Sequence, residues 1–412
     1  MTPRRLEEFF RKHRSAAAIG LLFPSAVFCC AIASAAELKP RVFGRNHAVG
    51  AETAALVRIV DGTLTTWFPV VGALLRLDGG RLITSCTGTL ISCDAFLTAA
   101  HCVAGDTDKA HYKVFLQHGG LFDVHSLDWP KRDYRPPSVQ SGSHADVAVL
   151  RLANPVEGIA PLAINADAEQ AVGAKPQIVG FGRTSQQNAN TGLKRFGDVV
   201  TSQCPDPYAK SDLICWRYAP GDGADTCYGD SGGPLMTSQN RPMPVVSGVT
   251  SGGADLTCVK GDRAYDASVL QNSDWIRKAA NLDAPQAQCG ALPPLEQSNE
   301  DHSRYEPFTG QINAKFPEQV FQVSVENTTR MRVSANLARP AGMTDDNFVK
   351  QPQLYVVQGI NRNTDQALCQ TKPKAQVAFC EMKPPADGVY TIILRGDNPK
   401  AIADFQLVVS VF

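Results

Sequence analysis

The stretch Cys227-Tyr228-Gly229-Asp230-Ser231-Gly232-Gly233-Pro234 decides how the rest of the chain is read. A serine between glycines can stand exposed on a sharp turn, because a glycine backbone bends where a Cβ would clash. The amides of Gly229 and Ser231 can then point into one small concavity beside the Ser231 hydroxyl, a place suited to a developing oxyanion. A Gly-rich turn carrying a serine is most often only a turn, so the stretch needs chemical partners elsewhere.

Two partners lie upstream. Leu97-Thr98-Ala99-Ala100-His101-Cys102 ends a short apolar run on a histidine, and Asp146-Val147-Ala148-Val149-Leu150-Arg151-Leu152 opens a strand on an aspartate. A serine hydroxyl is a poor nucleophile near neutral pH, and it needs an imidazole to take its proton and a carboxylate to orient that imidazole. The chain order His101, Asp146, Ser231 supplies those three groups. The G-x-S-x-G elbow of α/β-hydrolases also fits Gly229 to Gly233, but that fold orders its triad serine, acid, histidine.

On these motifs the chain resembles the chymotrypsin/trypsin family of serine proteases, from Ile59 to Cys289. The resemblance implies two Greek-key six-stranded barrels with the active site between them and a terminal helix, so the fold class is all-β. Short runs separated by turn signals agree: Phe68 to Leu77, Leu82 to Leu90, Tyr112 to Gln117, Phe122 to Leu127, Val147 to Leu152 and Gln177 to Gly182. Asp78-Gly79-Gly80 reads as a hairpin turn, and Ser273 to Ala280 as the terminal helix with Ser273 at its N-cap.

The resemblance also assigns roles. His101, Asp146 and Ser231 form the triad, and the Gly229 and Ser231 amides the oxyanion hole. Asp225 forms the floor of a specificity pocket selecting Arg or Lys, and Ser251 and Gly253 lie on the strand that pairs with substrate. Gly252 stands where the family has Trp, which loosens one subsite, and Arg263 or Ala264 stands where the family's pocket wall has Gly, which would bring Arg263 within reach to neutralise Asp225. Arg58-Ile59-Val60-Asp61-Gly62 resembles an activation site: cutting after Arg58 frees the Ile59 ammonium to pair with Asp230 and order the oxyanion loop. The implied disulfides are Cys86 with Cys102, Cys204 with Cys215, and Cys227 with Cys258. Cys93 and Cys289 are left to pair by elimination.

Composition sets outer limits. The chain has 412 residues, enough for two or three domains, and 40 basic against 40 acidic residues leave no strong field to attract nucleic acid. Of 12 cysteines, Cys29 and Cys30 sit in an N-terminal apolar segment. The others lack C-x-x-C or His spacing, which favours disulfides in an oxidising compartment over a metal site. No cofactor and no metal are expected. Among the remaining histidines, His111, His118, His125 and His144 read as solvated surface residues.

The expected domain order is a signal peptide at 1–36, a propeptide at 37–58, the protease at 59–289, a linker at 290–305 and a β-sandwich at 306–412. The first rests on a basic start followed by a charge-free apolar run ending in Ala-Ser-Ala-Ala, and implies a secreted protein, with passage through a periplasm left open. The last rests on alternation at Phe321, Val323, Val325 and at Met331, Val333, Ala335, with a hairpin stapled by Cys369 and Cys380. It resembles bacterial pre-peptidase C-terminal domains. Partners expected are a protein or peptide substrate, inhibitor proteins, and a surface or matrix ligand of the sandwich, a passive stabilising appendage being the alternative for that domain.

Overall fold

Asp78 and Arg81 face each other across a two-residue turn whose glycines both take positive φ, Gly79 at 54° and Gly80 at 77°. That turn type matches the right-handed twist of the strands it joins, so Val71–Asp78 and Arg81–Leu90 form a long hairpin. The extended run starts later than Phe68 because Phe68 is itself left-handed, at φ 56°, and its carbonyl accepts from Val71 N at 3.0 Å. The computed structural model describes residues 40–45 and 59–412, apart from 189, 209–211, 219–222, 239–240, 255–257, 259–260, 284–288, 297–301, 344–347 and 350. The signal-peptide segment and Arg58 therefore lie outside the described residues.

The hairpin is part of a closed six-stranded barrel. Its strands run Ala148–Leu152, Ala95–Thr98, Arg81–Leu90, Val71–Asp78, Tyr112–Leu116 and Gly120–Asp128, with the last pairing back to the first. The second barrel is an open eight-stranded sheet. Its order is Thr201–Ser202, Leu213–Arg217, Arg263–Ser268, Val245–Gly253, Pro234–Thr237, Gln177–Gly180, Arg195–Asp198 and Thr63–Leu64. One apolar core unites the two, with Phe96, Phe115 and Leu150 from the first and Val179, Met236 and Val249 from the second all buried. Helix Ser273–Ala280 packs Ile276 into that core. Its N-cap is Asn272, without a side-chain capping bond, so Ser273 is the first helical residue rather than the cap.

The C-terminal part is a two-layer sandwich. Tyr305–Ile312, Ala403–Val411, Met331–Ala338 and Val377–Met382 form one sheet. Glu318–Glu326, Gly388–Arg395, Gln353–Gln358 and Cys369–Thr371 form most of the other, and alternate apolar residues of both layers meet in a shared core. The outer strand of this second sheet comes from the other end of the chain: Arg41–Arg45 pairs antiparallel with Glu318–Glu326 and buries Val42 in the sandwich core. The segment read as a propeptide thus includes a strand.

The sandwich is joined to the protease by a buried polar seam. Gln117 donates to Asn336 at 2.8 Å and to Gln406 at 3.1 Å, Ser334 donates to the Gln117 carbonyl at 2.6 Å, and Lys194 N donates to Gln406 Oε1 at 2.7 Å. Gly158 and Gly192 leave room for this approach. A Cβ at Gly158 would stand 2.5 Å from the Phe412 ring, and one at Gly192 would stand 2.3 Å from the Leu337 carbonyl. Leu292 and Leu295, from the stretch read as a linker, lie on this seam, packed against Phe412.

His118 belongs to the seam as well, contrary to its reading as a surface residue. It is fully buried, with Nε2 2.6 Å from Thr66 O and Nδ1 2.9 Å from Ser410 Oγ. Burial, reinforced by the Lys194 and Arg332 charges, pushes its pKa down to about 3. The ring is neutral, and because a carbonyl can only accept, Nε2 carries the proton and Nδ1 accepts from Ser410.

Candidate active site

The Ser231 turn is held from both barrels. Thr87 of the first barrel donates its amide to Ser231 O at 2.8 Å and its hydroxyl to Gly229 O at 2.8 Å. Gly232 N donates to Thr250 O at 2.7 Å on the second. Gly229 takes φ 97°, which a side chain would strain, and no described acceptor engages the amide of Gly229 or of Ser231. Two unused donors beside a serine hydroxyl can receive an oxygen that gains negative charge.

Asp230 anchors the turn from below. Its carboxylate accepts from Gly182 N at 2.7 Å and Cys227 N at 2.9 Å, in space that exists because residues 180 and 182 are glycines. Burial pushes its pKa up to about 6, with the two amide bonds opposing the rise. Ile59 is buried among Ile178, Trp216, Ala224 and Leu235.

His101 sits in the short 3-10 turn Ala100–Cys102, braced by the Cys86–Cys102 disulfide. Its backbone N donates to Asp146 Oδ1 at 2.9 Å, and its Nδ1 lies 2.8 Å from Asp146 Oδ2. Asp146 is fully buried and accepts a third bond from Ser251 Oγ at 2.6 Å, while that hydroxyl contacts Ser143 Oγ at 2.8 Å. With Nδ1 committed to the carboxylate, Nε2 is the atom that can exchange a proton. Burial lowers the His101 pKa, but the Asp146 charge and hydrogen bond outweigh it and the net position is raised above 6.5.

His101, Ser231, Gly229, Ser251, Gly252 and Gly253 all line one cleft of about 970 Å³ between the barrels. Ser251 turns its hydroxyl to Asp146, a role its placement on the substrate strand did not suggest. Gly252 has no room for a ring: a Cβ there would stand 2.7 Å from the Tyr265 hydroxyl, and Tyr265 lines the cleft in its place, stacked on Tyr208 at 5.2 Å.

The two aspartates nearest the expected specificity pocket lie at different depths. Asp225 is fully buried and is not among the described residues lining the cleft; Asp262 is. Trp216 Nε1 donates to Asp225 Oδ1 at 3.3 Å, and the Asp225 amide donates to Val60 O at 3.1 Å. Burial first, and the Asp262 charge second, push the Asp225 pKa up to about 8, so near neutrality it is mostly protonated. Arg263 does not neutralise it. Arg263 is exposed on strand Arg263–Ser268, and the charges acting on Asp225 are those of Asp262 and Asp230.

Five disulfides are formed: Cys86–Cys102, Cys93–Cys289, Cys204–Cys215, Cys227–Cys258 and Cys369–Cys380. Among the described residues the one His/Cys/acid cluster with metal-like spacing is Cys86, His101 and Cys102, and its two sulfurs are already bonded to each other.

The family model described as Trypsin matches residues 65–276, about half of the chain. The chain belongs to the trypsin family. Snake venom serine proteinase 14 of Crotalus adamanteus is 30% identical over 215 residues, covering 49% of this chain and 80% of that protein. Thrombin-like enzyme gyroxin B1.4 of Crotalus durissus terrificus is 31% identical over 215 residues, covering 47% and 76%. Serine protease 56 of Mus musculus is 30% identical over 251 residues, covering 57% of this chain and 40% of the relative. This trypsin-family protein is accordingly a serine endopeptidase, a hydrolase acting on protein or peptide substrates. The trypsin match stops before the sandwich.

Proposed function

We propose that Ser231 Oγ attacks the scissile carbonyl while His101 Nε2 takes its proton and later returns it to the leaving amine. Asp146 fixes the imidazole tautomer and stabilises the imidazolium, and the Gly229 and Ser231 amides receive the oxyanion, each donor contributing about 3 kcal/mol at comparable sites. The observation that carries this reading is the buried Asp146 bonded to both His101 and Ser251 in the cleft that holds Ser231.

The finer features are part of the same proposal. The enzyme is made as a precursor and activated by cutting after Arg58, which frees the Ile59 ammonium to pair with Asp230; the burial of the Asp230 carboxyl, held by the Gly182 and Cys227 amides, supports this. The preferred side chain before the scissile bond is Arg or Lys, supported by Asp262 in the cleft and Asp225 beneath it. Residues 1–36 direct secretion and 37–58 form the propeptide. The protease spans 59–289 and a linker 290–305. The domain at 306–412 is a sandwich of the bacterial pre-peptidase C-terminal kind and binds a surface or matrix ligand. Inhibitor proteins occupy the cleft as a substrate does. N-terminal sequencing of the secreted protein together with a cleavage-site library tests this set: an Ile59 N-terminus and cuts after Arg or Lys support it. Full activity of an uncut Arg58→Gln variant, or cuts after apolar residues, contradicts it.

A further inference from the structure

The walls of the cleft are not held by the protease alone. Gln376, a buried residue of the sandwich, engages both ends of its side-chain amide in three hydrogen bonds, and two of them reach protease backbone. Its Nε2 donates to Thr191 O and to Leu337 O, both at 2.6 Å, and its Oε1 accepts from Thr84 N at 3.1 Å. Thr84 lies on the first barrel and Thr191 in the segment joining two strands of the second, and both line the cleft. The Gln376 main chain repeats the attachment, donating to Leu82 O at 2.9 Å, while Leu82 N donates to Lys374 O at 2.9 Å. Next to Thr191, Gly192 O accepts from Asn336 Nδ2 at 2.5 Å. The Thr191 methyl group stands 3.0 Å from where a Cβ on Gly229 would be, so Thr191 covers that side of the turn.

We propose that Gln376 is a positioning residue of the peptidase, and that the sandwich is an intramolecular clamp setting the separation of Thr84 and Thr191 across the substrate cleft. A buried carbonyl without a donor relaxes toward water or another donor. With Thr191 released, the segment that covers the Gly229 turn is free to shift, and small displacements at a reacting centre are costly in rate.

The test uses the full chain with Gln376→Ala, and Ser334→Ala as comparator, since Ser334 bonds Gln117 O in the same seam away from the cleft. Active sites are titrated with a fluorophosphonate, and kcat/KM per titrated site is measured on a peptide substrate well below the Tm of both variants. The expected result is a fall of about tenfold or more for Gln376→Ala, with Ser334→Ala within about twofold of wild type at a comparable loss of Tm. Wild-type kcat/KM per site in Gln376→Ala, or equal losses in the two variants, overturns the clamp. If Gln376→Ala does not fold, Gln376→Glu, which keeps the acceptor for Thr84 and removes both donors, is measured in the same way.

A second inference comes from the strand Arg41–Arg45, which precedes Arg58 in sequence yet forms an edge of the sandwich with Val42 in its core. Residues 37–58 contain no cysteine, so no disulfide ties this segment to the rest. Resting on the proposed cut after Arg58, we infer that the released peptide stays bound as that edge strand, so the mature enzyme is two chains held by a β-ladder. After the cut is verified by an Ile59 N-terminus, size exclusion under native conditions followed by intact mass analysis should find the peptide with wild-type enzyme and lose it in Val42→Asp. A wild-type peptide that elutes on its own overturns the inference. If no cut forms at Arg58, a site-specific protease sequence placed within 46–58 gives the same readout, so activation and retention fail separately.

Discussion

The imidazole Nδ1 of His101 lies 2.8 Å from Oδ2 of Asp146, and the same oxygen accepts the Ser251 hydroxyl at 2.6 Å. The carboxylate is fully buried, so its charge acts on the imidazolium with little screening. This raises the His101 pKa above 6.5 despite burial, which acts the other way. Catalysis by general base needs the neutral ring, so kcat/KM should rise with pH through a midpoint above 6.5. In Asp146→Asn, kcat should fall about 10⁴-fold, the size of effect seen when such a tautomer is lost. A pH profile with its acid limb well below 6.5 in the intact enzyme would contradict the pairing.

Ser251→Ala removes one of the three donors to Asp146 and leaves a buried oxygen less well satisfied. The expected loss is about 1–2 kcal/mol in transition-state stabilisation, or roughly tenfold in kcat/KM. Steady-state kinetics of the variant check it, and unchanged kinetics would show that Ser251 serves only the strand.

Asp225 is mostly protonated below about pH 8, and on the proposed Arg/Lys preference a cationic side chain reaching toward it needs it ionised. The ratio of kcat/KM for a substrate with Arg before the scissile bond to one with Leu should therefore rise with pH through a midpoint near 8 and level only above it, because the His101 limb cancels in the ratio. Asp225→Ser should lower that ratio and flatten its pH dependence. A ratio already flat in wild type would remove Asp225 from cation recognition.

Phe412 fills the space over Gly158 and lies 5.2 Å from the Arg304 guanidinium and 4.9 Å from that of Arg332. Phe412→Ala should cost about 3–5 kcal/mol. Because protease and sandwich share this seam, calorimetry should show one transition moved down rather than a second one split off.

How much of this was readable beforehand follows from where the determining contacts lie. The Ser231, His101 and Asp146 segments carry their own local signals, glycines for the turn and an apolar strand behind each partner. The Asp78-Gly79-Gly80 turn is equally local. The seam is different: Gln117, Asn336, Gln376 and Gln406 carry polar side chains with no local sign of burial, and partners distant in sequence, one another's amides and backbone groups across the seam, make that burial tolerable. His118 was misread for the same reason. The strand at Arg41–Arg45 was invisible because a five-residue edge strand shows too little alternation to stand out. Asp225 has the spacing of a pocket floor, but spacing to Ser231 says nothing of whether solvent reaches the carboxyl.

The most direct test of Ser231 as the nucleophile is tryptic mapping of the mature enzyme after reaction with a fluorophosphonate. A single adduct on the peptide containing Ser231, absent in Ser231→Ala together with peptide-bond cleavage, is the predicted result. An adduct on another residue, or turnover that survives in Ser231→Ala, would contradict it.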